Sequence, residues 1–228
     1  MKSTPALTEM IEWDVPNWSQ ALSYWLAQTQ LSLAGSRALE IGCGNGGLSL
    51  WAATQGLSVL CTDIAQPPPA VIEKHQHYEV SAQIQYQQLN ALDIPFAEAF
   101  DVVLFKSILG GVGRDNHPER QAQAIQQIYK ALKPGGELWF AENLAASPLH
   151  RFSRRRWVRW GTAWRYVTIR EMHDYLSVFR EFRYKTVGFL GCFGRTAAQR
   201  TALGRIDRLV DKVVPPSWRY VLIGVARK

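Results

Sequence analysis

Alternating glycines follow a short apolar run in LEIGCGNG, residues 39–46, where they occupy positions 42, 44 and 46. A strand that enters a helix through glycines lets the backbone approach a ligand closely and leaves free N–H groups at the start of the helix. This pattern is typical of nucleotide-cofactor sites, although a Gly-x-Gly alone does not distinguish one nucleotide from another. The flanking residues therefore have to identify the ligand.

Two carboxylates flank this turn. Glu40 precedes Gly42 by two residues, and Asp63 ends the next apolar run. A carboxylate repels a pyrophosphate but attracts an ammonium or sulfonium group, so Glu40 disfavours a dinucleotide. An acid at position 63 can accept both hydroxyls of a ribose, and Asn90, after the third apolar run, would bring an amide near an adenine. Together these features favour a cationic adenosyl ligand.

Strand and helix patterns alternate along the chain around this turn. The predicted strands cover residues 37–41, 57–64, 84–89, 100–108, 137–144, 180–190 and 218–228, with a Pro-Gly-Gly turn at 134–136. The predicted helices cover residues 17–34, capped by Asn17, and residues 46–55, 66–82, 118–133, 168–179 and 197–213. The last of these places on one side Leu203, Ile206, Leu209, Val210 and Val213. This alternation predicts an α/β fold with an open, mostly parallel sheet and helices on both faces.

Five motifs occur in the order in which a known family carries them: LEIGCGNG, VLCTDI, NALDIPF, FDVVLFKSIL and ALKPGGELWFAEN. Through them, residues 37–143 resemble the class I S-adenosylmethionine-dependent methyltransferases. The resemblance implies a Rossmann-like sheet of seven strands with the last strand antiparallel. It also implies S-adenosyl-L-methionine as the cofactor, lying over the ends of the first, second and fourth strands.

The resemblance also assigns cofactor contacts by position. The methionine end would lie against Glu40, Gly42, Cys43, Gly44 and Asn45 of the glycine turn, and Asp63 would hold the ribose. Ile64, Asn90 and Ala91 would lie beside the adenine. Lys106 and Ser107, at the exit of the fourth strand, would lie beneath the cofactor.

The chain of 228 residues is predicted to form a single domain with four segments. These are an N-terminal lid helix at 1–36, the cofactor-binding core at 37–143, a basic substrate-facing insertion at 144–180, and C-terminal strands with an inserted helix at 181–228. Three scattered cysteines fit reduced thiols in the cytoplasm, and no metal site is predicted. The sequence also predicts neither a secretory signal nor a transmembrane helix.

One segment carries the formal net charge of +7, because residues 151–170 contain seven arginines and no acid. Such a segment is either a solvated surface or a site for an acidic small molecule, an anionic lipid or a nucleic acid. A helix over residues 151–165 would have two faces, one with Arg151, Arg155 and Arg159 and another with Trp157, Trp160 and Trp164. This composition suits an acidic substrate, and it also suits peripheral contact with the inner face of an anionic membrane.

Motifs also restrict the methyl acceptor. KSILGGVG follows the fourth strand, where enzymes that methylate exocyclic base nitrogens carry Asn/Asp-Pro-Pro-aromatic, so a small molecule, a lipid or an anionic sugar is favoured over nucleic acid. No obvious catalytic residue stands out, and proximity can supply much of the catalysis. The candidates for a base are His150 and His117. The predicted substrate contacts are Trp18, Tyr24, His150, Arg154 and Trp157.

Three alternatives remain open: an RNA- or membrane-associated methyltransferase that uses the arginine segment, a cofactor-binding protein without catalysis, and an NAD-dependent oxidoreductase. The last rests on Tyr129-x-x-x-Lys133, a catalytic spacing of short-chain dehydrogenases. This pair lies at a helix end directly before Pro134, whereas a catalytic pair needs a rigid helix interior. Tyr129 and Lys133 are therefore predicted to be surface residues.

Overall fold

A seven-stranded sheet forms the centre of the molecule in the computed structural model, which describes residues 4–158 and 163–228. The strands are β1 (Arg37–Ile41), β2 (Ser58–Asp63), β3 (Ile84–Gln88), β4 (Phe100–Lys106), β5 (Leu132–Asn143), β6 (Glu181–Val187) and β7 (Val221–Arg227). Their order in the sheet is β3-β2-β1-β4-β5-β7-β6.

Strand direction agrees with the prediction. β1 pairs in parallel with β2 and β4, and β5 pairs in parallel with β4. The last strand, β7, lies antiparallel between β5 and β6. The central strand β4 is buried along most of its length, as expected for a parallel strand covered on both faces. The predicted fold class, a mostly parallel Rossmann-like sheet of seven strands with the last strand antiparallel, is confirmed.

Helices cover both faces of the sheet. They are α1 (Leu7–Met10), α2 (Val15–Trp18), α3 (Gln20–Gln28), α4 (Gly47–Thr54), α5 (Pro69–His77), α6 (Leu109–Val112), α7 (Pro118–Ala131), α8 (Pro148–Trp157), α9 (Ile169–Leu176) and α10 (Ala197–Val210). On one face, α3 and α4 bury Trp25 and Trp51 against Trp139 of β5, with the rings of Trp25 and Trp139 stacked 6.2 Å apart. On the other face, α7 and α9 pack in the second apolar core. None of the described helices combines the length and apolar character needed to cross a bilayer.

The Pro-Gly-Gly stretch at 134–136 lies inside the bounds of β5. Leu132 pairs with Phe100, the register then shifts, and regular pairing resumes between Glu137 and Val102. Gly135 has φ +78°, a left-handed conformation that glycine adopts without strain. The predicted turn is therefore an irregularity within the strand, because backbone pairing continues on both sides of it.

The N-terminal helix predicted over residues 17–34 is wrong in extent and in its cap. Two helices, α2 and α3, meet at Ser19, and α3 ends at Gln28. Asn17 lies within α2 and is buried, and its Nδ2 donates to Asp14 Oδ2 at 3.0 Å, Asp207 Oδ2 at 2.8 Å and the Tyr220 hydroxyl oxygen at 2.9 Å. These tertiary hydrogen bonds link the N-terminal segment to α10 and to Tyr220, the residue before β7, and they use the side chain that was expected to cap a helix.

A continuous helix over residues 151–165, the condition for the two faces considered in the sequence, is not present. The observed helix, α8, begins at Pro148, where Ser147 caps it, and ends at Trp157, because Val158 is extended. Trp164 therefore does not share a helical face with Trp157. The other residues of the two predicted faces, Arg159 and Trp160, lie outside the described residues.

The apolar side of α10 faces solvent. Ile206 and Leu209 are 47% and 68% exposed, and Val213, beyond the helix end, is 82% exposed. The helix packs instead through Gly204 and Asp207, both buried. Asp207 accepts hydrogen bonds from the backbone N–H groups of residues 190 and 191, so a polar network rather than an apolar stripe holds this helix.

Candidate functional site

Two adjoining cavities lie at the carboxyl ends of β1 and β4, and both are lined by Lys106 and Ser107. The first, here called the glycine-turn cavity, has a volume of about 260 Å³ and is lined in part by residues 42–45. The second, here called the aromatic cavity, has a volume of about 470 Å³. Ligands of open α/β sheets bind at this edge, so the two cavities form the candidate site.

The turn between β1 and α4 has a conformation that requires glycine. Gly42, Gly44 and Gly46 have φ values of +71°, +52° and +73°. A Cβ at Gly42 would lie 2.6 Å from Ile108 Cγ2, whereas a Cβ at Gly44 would meet nothing within 4 Å. The backbone at Gly44 is therefore open to a ligand. Cys43 is buried, and both Cys43 and Asn45 line the glycine-turn cavity.

Glu40 lines the same cavity, although only 1% of the residue is exposed. The Ser49 hydroxyl donates to its carboxyl group. Burial raises the pKa of Glu40 to about 8, with the Ser49 hydrogen bond and the Lys106 charge opposing that rise. Near neutral pH the Glu40 carboxyl is therefore mostly protonated, and a nearby positive charge would favour its ionised form.

Asp63 and Ile64, at the end of β2, extend the site beyond the cavity. Asp63 Oδ2 accepts a hydrogen bond from the Gly44 N–H at 2.9 Å, and Oδ1 accepts one from the Ile64 N–H at 2.7 Å. Ile64 is 64% exposed, an open apolar surface beside the carboxylate. Asn90 is exposed, and its Oδ1 accepts a hydrogen bond from the Leu92 N–H at 3.0 Å. Its amide oxygen is therefore bonded within the turn that contains Asn90. Ala91 is buried.

Lys106 and Ser107 form the boundary between the two cavities. Lys106 Nζ lies 5.3 Å from the centre of the Trp18 ring. Burial lowers the pKa of Lys106, and the carboxyl groups of Glu12, Glu40 and Glu142 oppose this effect. Ser107 has φ +57°, and its Oγ accepts from Asn143 Nδ2 at 2.5 Å, so the exit of β4 is held in a left-handed turn.

Three distant parts of the chain form the aromatic cavity around this boundary. The N-terminal segment contributes tryptophans, α8 and the residues after it contribute a cation and aromatic rings, and the 3₁₀-helix Gly191–Phe193 closes one side. The principal lining residues are Trp13, Trp18, Arg154, Trp164, Tyr166 and Phe193. No carboxylate lines this cavity in the part of the chain that the structure describes.

The predicted substrate residues are divided by the structure. Trp18, His150 and Arg154 line the aromatic cavity, and Tyr24 and Trp157 do not. Tyr24 lies on α3, where Lys185 Nζ sits 5.4 Å from its ring centre. Trp157 is 67% exposed and contacts Phe152 edge to face. Tyr24 and Trp157 therefore lie outside the cavity that Trp18, His150 and Arg154 share.

The two histidine candidates are not free bases. His150 is buried, Ser147 Oγ lies 2.7 Å from its Nδ1, and the carbonyl oxygen of Phe189 lies 2.9 Å from its Nε2. A carbonyl can only accept, so Nε2 carries the proton and Nδ1 accepts from Ser147. Burial lowers the pKa of His150 to about 4, which keeps the ring neutral. His117 lines neither cavity, and its Nδ1 lies 2.5 Å from Glu119 Oε1.

Several site residues were not predicted from the sequence. Met10 and Glu12 line the glycine-turn cavity, and Asn143 and Tyr166 line the aromatic cavity. The N-terminal segment can pack against the turn because Gly47 has no Cβ, which would overlap the Met10 carbonyl. An ion pair adds to this contact, since Lys74 Nζ lies 3.8 Å from Glu12 Oε1. No sequence pattern encodes these long-range contacts. Among residues 4–158 and 163–228, no group of three or more His, Cys, Asp or Glu side chains is arranged to hold a metal ion.

Both side chains of the Tyr129–Lys133 pair make packing or ion-pair contacts outside the two cavities. The Tyr129 ring packs edge to face on Phe179, with centroids 5.2 Å apart, and Lys228 Nζ lies 4.8 Å from its ring centre. Lys133 Nζ binds the Asp101 carboxylate at 2.8 Å. Neither residue lines the two cavities, which leaves the dehydrogenase hypothesis without a site.

The match to known sequences falls on the part of the chain that forms most of the glycine-turn cavity. Residues 39–140 match the family model described as a methyltransferase domain. The ubiquinone biosynthesis O-methyltransferase of Pseudomonas putida is 34% identical over 119 residues, which cover 51% of this chain and 48% of that protein. The chain thus matches about half the length of this relative.

Two solved structures share the fold. Phosphoethanolamine N-methyltransferase 2 of Haemonchus contortus, in complex with S-adenosyl-L-methionine, has a TM-score of 0.64 at 19% identity, over 92% of this chain and 52% of that chain. N-methyltransferase NodS of Bradyrhizobium japonicum, in complex with S-adenosyl-L-homocysteine, has a TM-score of 0.57 at 20% identity, over 92% and 84%. Residues 39–140 thus match a methyltransferase domain, which confirms the resemblance to the class I S-adenosylmethionine-dependent methyltransferases predicted from the motifs.

Proposed function

We propose that this protein transfers a methyl group from S-adenosyl-L-methionine to a small-molecule acceptor. The observation that carries the proposal is the shared wall of the two cavities, where Lys106 and Ser107 border both. The cofactor would occupy the glycine-turn cavity and the acceptor the aromatic cavity. Two reactants held at one boundary react as if they were a single molecule, which removes most of the entropic barrier.

The residues of the glycine-turn cavity fit this cofactor. The open backbone at Gly44 would lie against the methionine end, with the carboxyl groups of Glu40 and Glu12 beside its positive charges. Asp63 would accept the ribose hydroxyls, and the exposed side chain of Ile64 would cover the adenine. Asn90 and Ala91 would flank the base from the next strand. The donor set is acidic where the ligand is cationic and apolar where it is aromatic.

The protein itself would position the cofactor and the acceptor and would exclude water from the acceptor. The bound cofactor supplies an electrophilic methyl group on a sulfonium. Trp13, Trp18 and Trp164 would shield the acceptor from solvent, and the left-handed turn at Ser107 would fix the distance between the two ligands. His150 would act as a neutral part of the wall. Catalysis by proximity requires no general base when the acceptor atom is already nucleophilic.

The names of similar proteins support a small-molecule acceptor. The relative with 34% identity is a ubiquinone biosynthesis O-methyltransferase, which favours a hydroxyl oxygen as the accepting atom. The two structural neighbours are N-methyltransferases, so the fold alone does not select oxygen. The sequence relative, at the higher identity, makes an oxygen acceptor our proposal.

Calorimetric titration with S-adenosyl-L-methionine, NAD and NADP tests the cofactor. We expect binding of S-adenosyl-L-methionine and of its demethylated product, and no binding of either dinucleotide. Binding of NAD in place of S-adenosyl-L-methionine would contradict the proposal. Transfer of a radioactive methyl group to lipid, glycan and polar-metabolite fractions of a cell extract then separates an enzyme from a cofactor-binding protein, because the latter labels none of them.

We further propose that the exposed face of α8 contacts an anionic membrane from the cytoplasmic side. Leu149, Phe152 and Trp157 are 53%, 61% and 67% exposed on this ten-residue helix. Its exposed cations are Arg151, Arg155 and Arg156, and the helix contains no acid. Apolar and cationic side chains on one solvent-facing surface fit the interface of a negatively charged bilayer.

Vesicle sedimentation tests this contact. Wild-type protein should bind vesicles of phosphatidylglycerol and phosphatidylcholine but not of phosphatidylcholine alone. Replacing Arg151, Arg155 and Arg156 by Gln should weaken binding by about 3 kcal/mol, at about 1 kcal/mol for each arginine. A control that replaces the exposed Arg195, Arg205 and Arg208 by Gln makes the same charge change outside α8. Equal losses in both variants, or salt-sensitive binding to RNA without vesicle binding, would contradict the proposal.

A further inference from the structure

Arg154 is a partly buried cation without a carboxylate partner among the described residues. Its Nη1 donates to the carbonyl oxygens of Leu144 and Ala145, at 2.7 and 3.2 Å. Its guanidinium lies over the Tyr166 ring, with Cζ 3.8 Å from the ring centre. These contacts hold the group in place and leave its charge uncompensated.

Three other poorly exposed arginines among the described residues are paired with a carboxylate. Arg227 binds Glu137 at 3.0 Å, Arg165 binds Glu171, and Arg219 lies 3.9 Å from Asp211. An enclosed charge without a countercharge lowers stability, so proteins rarely keep one unless a ligand supplies the opposite charge. Arg154 differs from these three arginines because it lines the aromatic cavity.

Lys106, the other cation of the cavity wall, does not share this property. The carboxyl groups of Glu12, Glu40 and Glu142 all act on it, and it borders the glycine-turn cavity as well. Lys106 therefore has carboxyl groups of the protein near it, whereas no carboxylate lines the aromatic cavity beside Arg154 among the described residues.

A second wall group also lacks a partner. Trp18 lines the aromatic cavity and is 2% exposed, and its buried Nε1 has no hydrogen-bond partner among the described residues. An indole N–H can only donate, and a buried donor without an acceptor is unfavourable. A ligand oxygen within the cavity would satisfy it.

We propose that the aromatic cavity binds an organic anion with a flat apolar body, and that Arg154 pairs with its acid group. The inference rests on the proposed function only in naming this anion as the methyl acceptor. Stacking on Tyr166 fixes the plane of the guanidinium, and its Nε and Nη2 remain for a planar carboxylate. Trp13, Trp164 and Phe193 provide the aromatic surface for the body of the ligand.

Paired probes test this on the wild-type chain. We would titrate 6-hydroxy-2-naphthoate and its uncharged carboxamide, followed by calorimetry in the absence of cofactor. The acid should bind at least about tenfold more tightly, because a hydrogen bond to a charged group contributes more than a neutral one. Equal affinity of acid and amide, or no measurable binding of the acid, would overturn the proposal. The outcome does not depend on whether S-adenosyl-L-methionine binds.

Variants then assign the preference to one residue. Arg154→Gln should abolish the acid-over-amide preference, and Arg154→Lys should retain part of it, since the charge remains but the planar fork is lost. Arg170→Gln, an exposed arginine of α9 that lines neither cavity, should keep the full preference. A retained preference in Arg154→Gln would show that another group binds the acid. If that variant does not fold, Arg154→Lys and the wild-type probe pair still decide the question.

Discussion

The glycine-turn cavity and the aromatic cavity share a wall but are assembled differently. Most of the first comes from one strand–turn–helix unit, residues 40–48, with Lys106 and Ser107 added at the end of β4 and Met10 and Glu12 added from the N-terminal segment. The second combines side chains from five separate parts of the chain: Trp13 and Trp18; Lys106 and Ser107; Asn143, His150, Ser153, Arg154 and Val158; Trp164 and Tyr166; and Cys192 and Phe193. Local chain geometry therefore builds the cofactor side, whereas the acceptor side depends on tertiary contacts between remote segments. The two sides should accordingly respond differently to mutation.

Adding one methyl group to each side gives the largest expected contrast. Gly42→Ala forces alanine into a left-handed conformation and places Cβ 2.6 Å from Ile108 Cγ2. We expect it to cost roughly 2–5 kcal/mol of folding free energy and to abolish cofactor binding, as judged by urea unfolding and calorimetry. Gly110→Ala, whose Cβ would overlap the Trp164 indole, should displace that ring. Cofactor affinity should survive this change, while binding of the naphthoate probe weakens.

Gly35→Ala is the matched control for these variants. Gly35 has φ +79°, yet a Cβ there would meet nothing within 4 Å. Its cost should be limited to the left-handed conformation, about 1–2 kcal/mol, with both ligands still bound. Loss of cofactor affinity in Gly110→Ala would show that the two sides are not separable.

Asp14 tests the N-terminal segment that serves both cavities. Burial raises its pKa from 3.8 to about 7, so the folded protein holds the proton more tightly than the unfolded chain. The stabilisation from this proton is complete below about pH 4 and declines as the pH rises to 7, by up to about 1.4 kcal/mol per pH unit. Asp14→Asn should remove that slope. Urea unfolding between pH 4 and 7 measures the difference from wild type, and identical slopes would contradict it.

Glu40 gives a smaller effect that is confined to the cofactor side. Its pKa of about 8 should fall when a cationic cofactor binds, so binding releases a proton below pH 8. Affinity for S-adenosyl-L-methionine should then rise between pH 6 and 8, by at most about tenfold per pH unit. Glu40→Gln resembles the protonated side chain and should bind with less pH dependence. Calorimetry in buffers of different ionisation enthalpy measures the number of protons released when the cofactor binds. Wild type and Glu40→Gln should differ in this number and in the pH dependence of affinity.

Lys133 should show the smallest effect of all. Its ion pair with Asp101 is partly exposed, so Lys133→Gln should cost less than about 1 kcal/mol. Because the residue lies outside both cavities, affinity for cofactor and probe should not change. A large loss of either would revive a functional role for the Tyr129–Lys133 spacing.

The sequence predicted the cofactor side far better than the acceptor side. Strands β1 to β4 occur within two residues of their predicted ends, because each is an apolar run bounded by turn residues. The turn at 42–46 and its neighbours Glu40 and Asp63 are close to one another along the chain or at adjacent strand ends. Their proximity follows from topology alone, since parallel strands end at the same edge.

The structure of the arginine segment was harder to predict from the sequence. Arg154 and Trp157 lie three residues apart with similar local context, yet one lines a cavity and the other is exposed. What separates them is the end of α8 at Trp157 and the return of Tyr166 over Arg154. Neither event has a local signal, because tertiary packing determines where an amphipathic helix ends.

Three consecutive residues near the beginning of the chain face three different surroundings. Glu12 lines the glycine-turn cavity, Trp13 lines the aromatic cavity, and Asp14, at φ +44°, receives hydrogen bonds from Asn17 and Tyr220. Inserting or deleting one residue before Asp14 would therefore shift an acid and an aromatic ring into the wrong cavities together. This short stretch, which contains little regular secondary structure, should therefore be sensitive to any change of length.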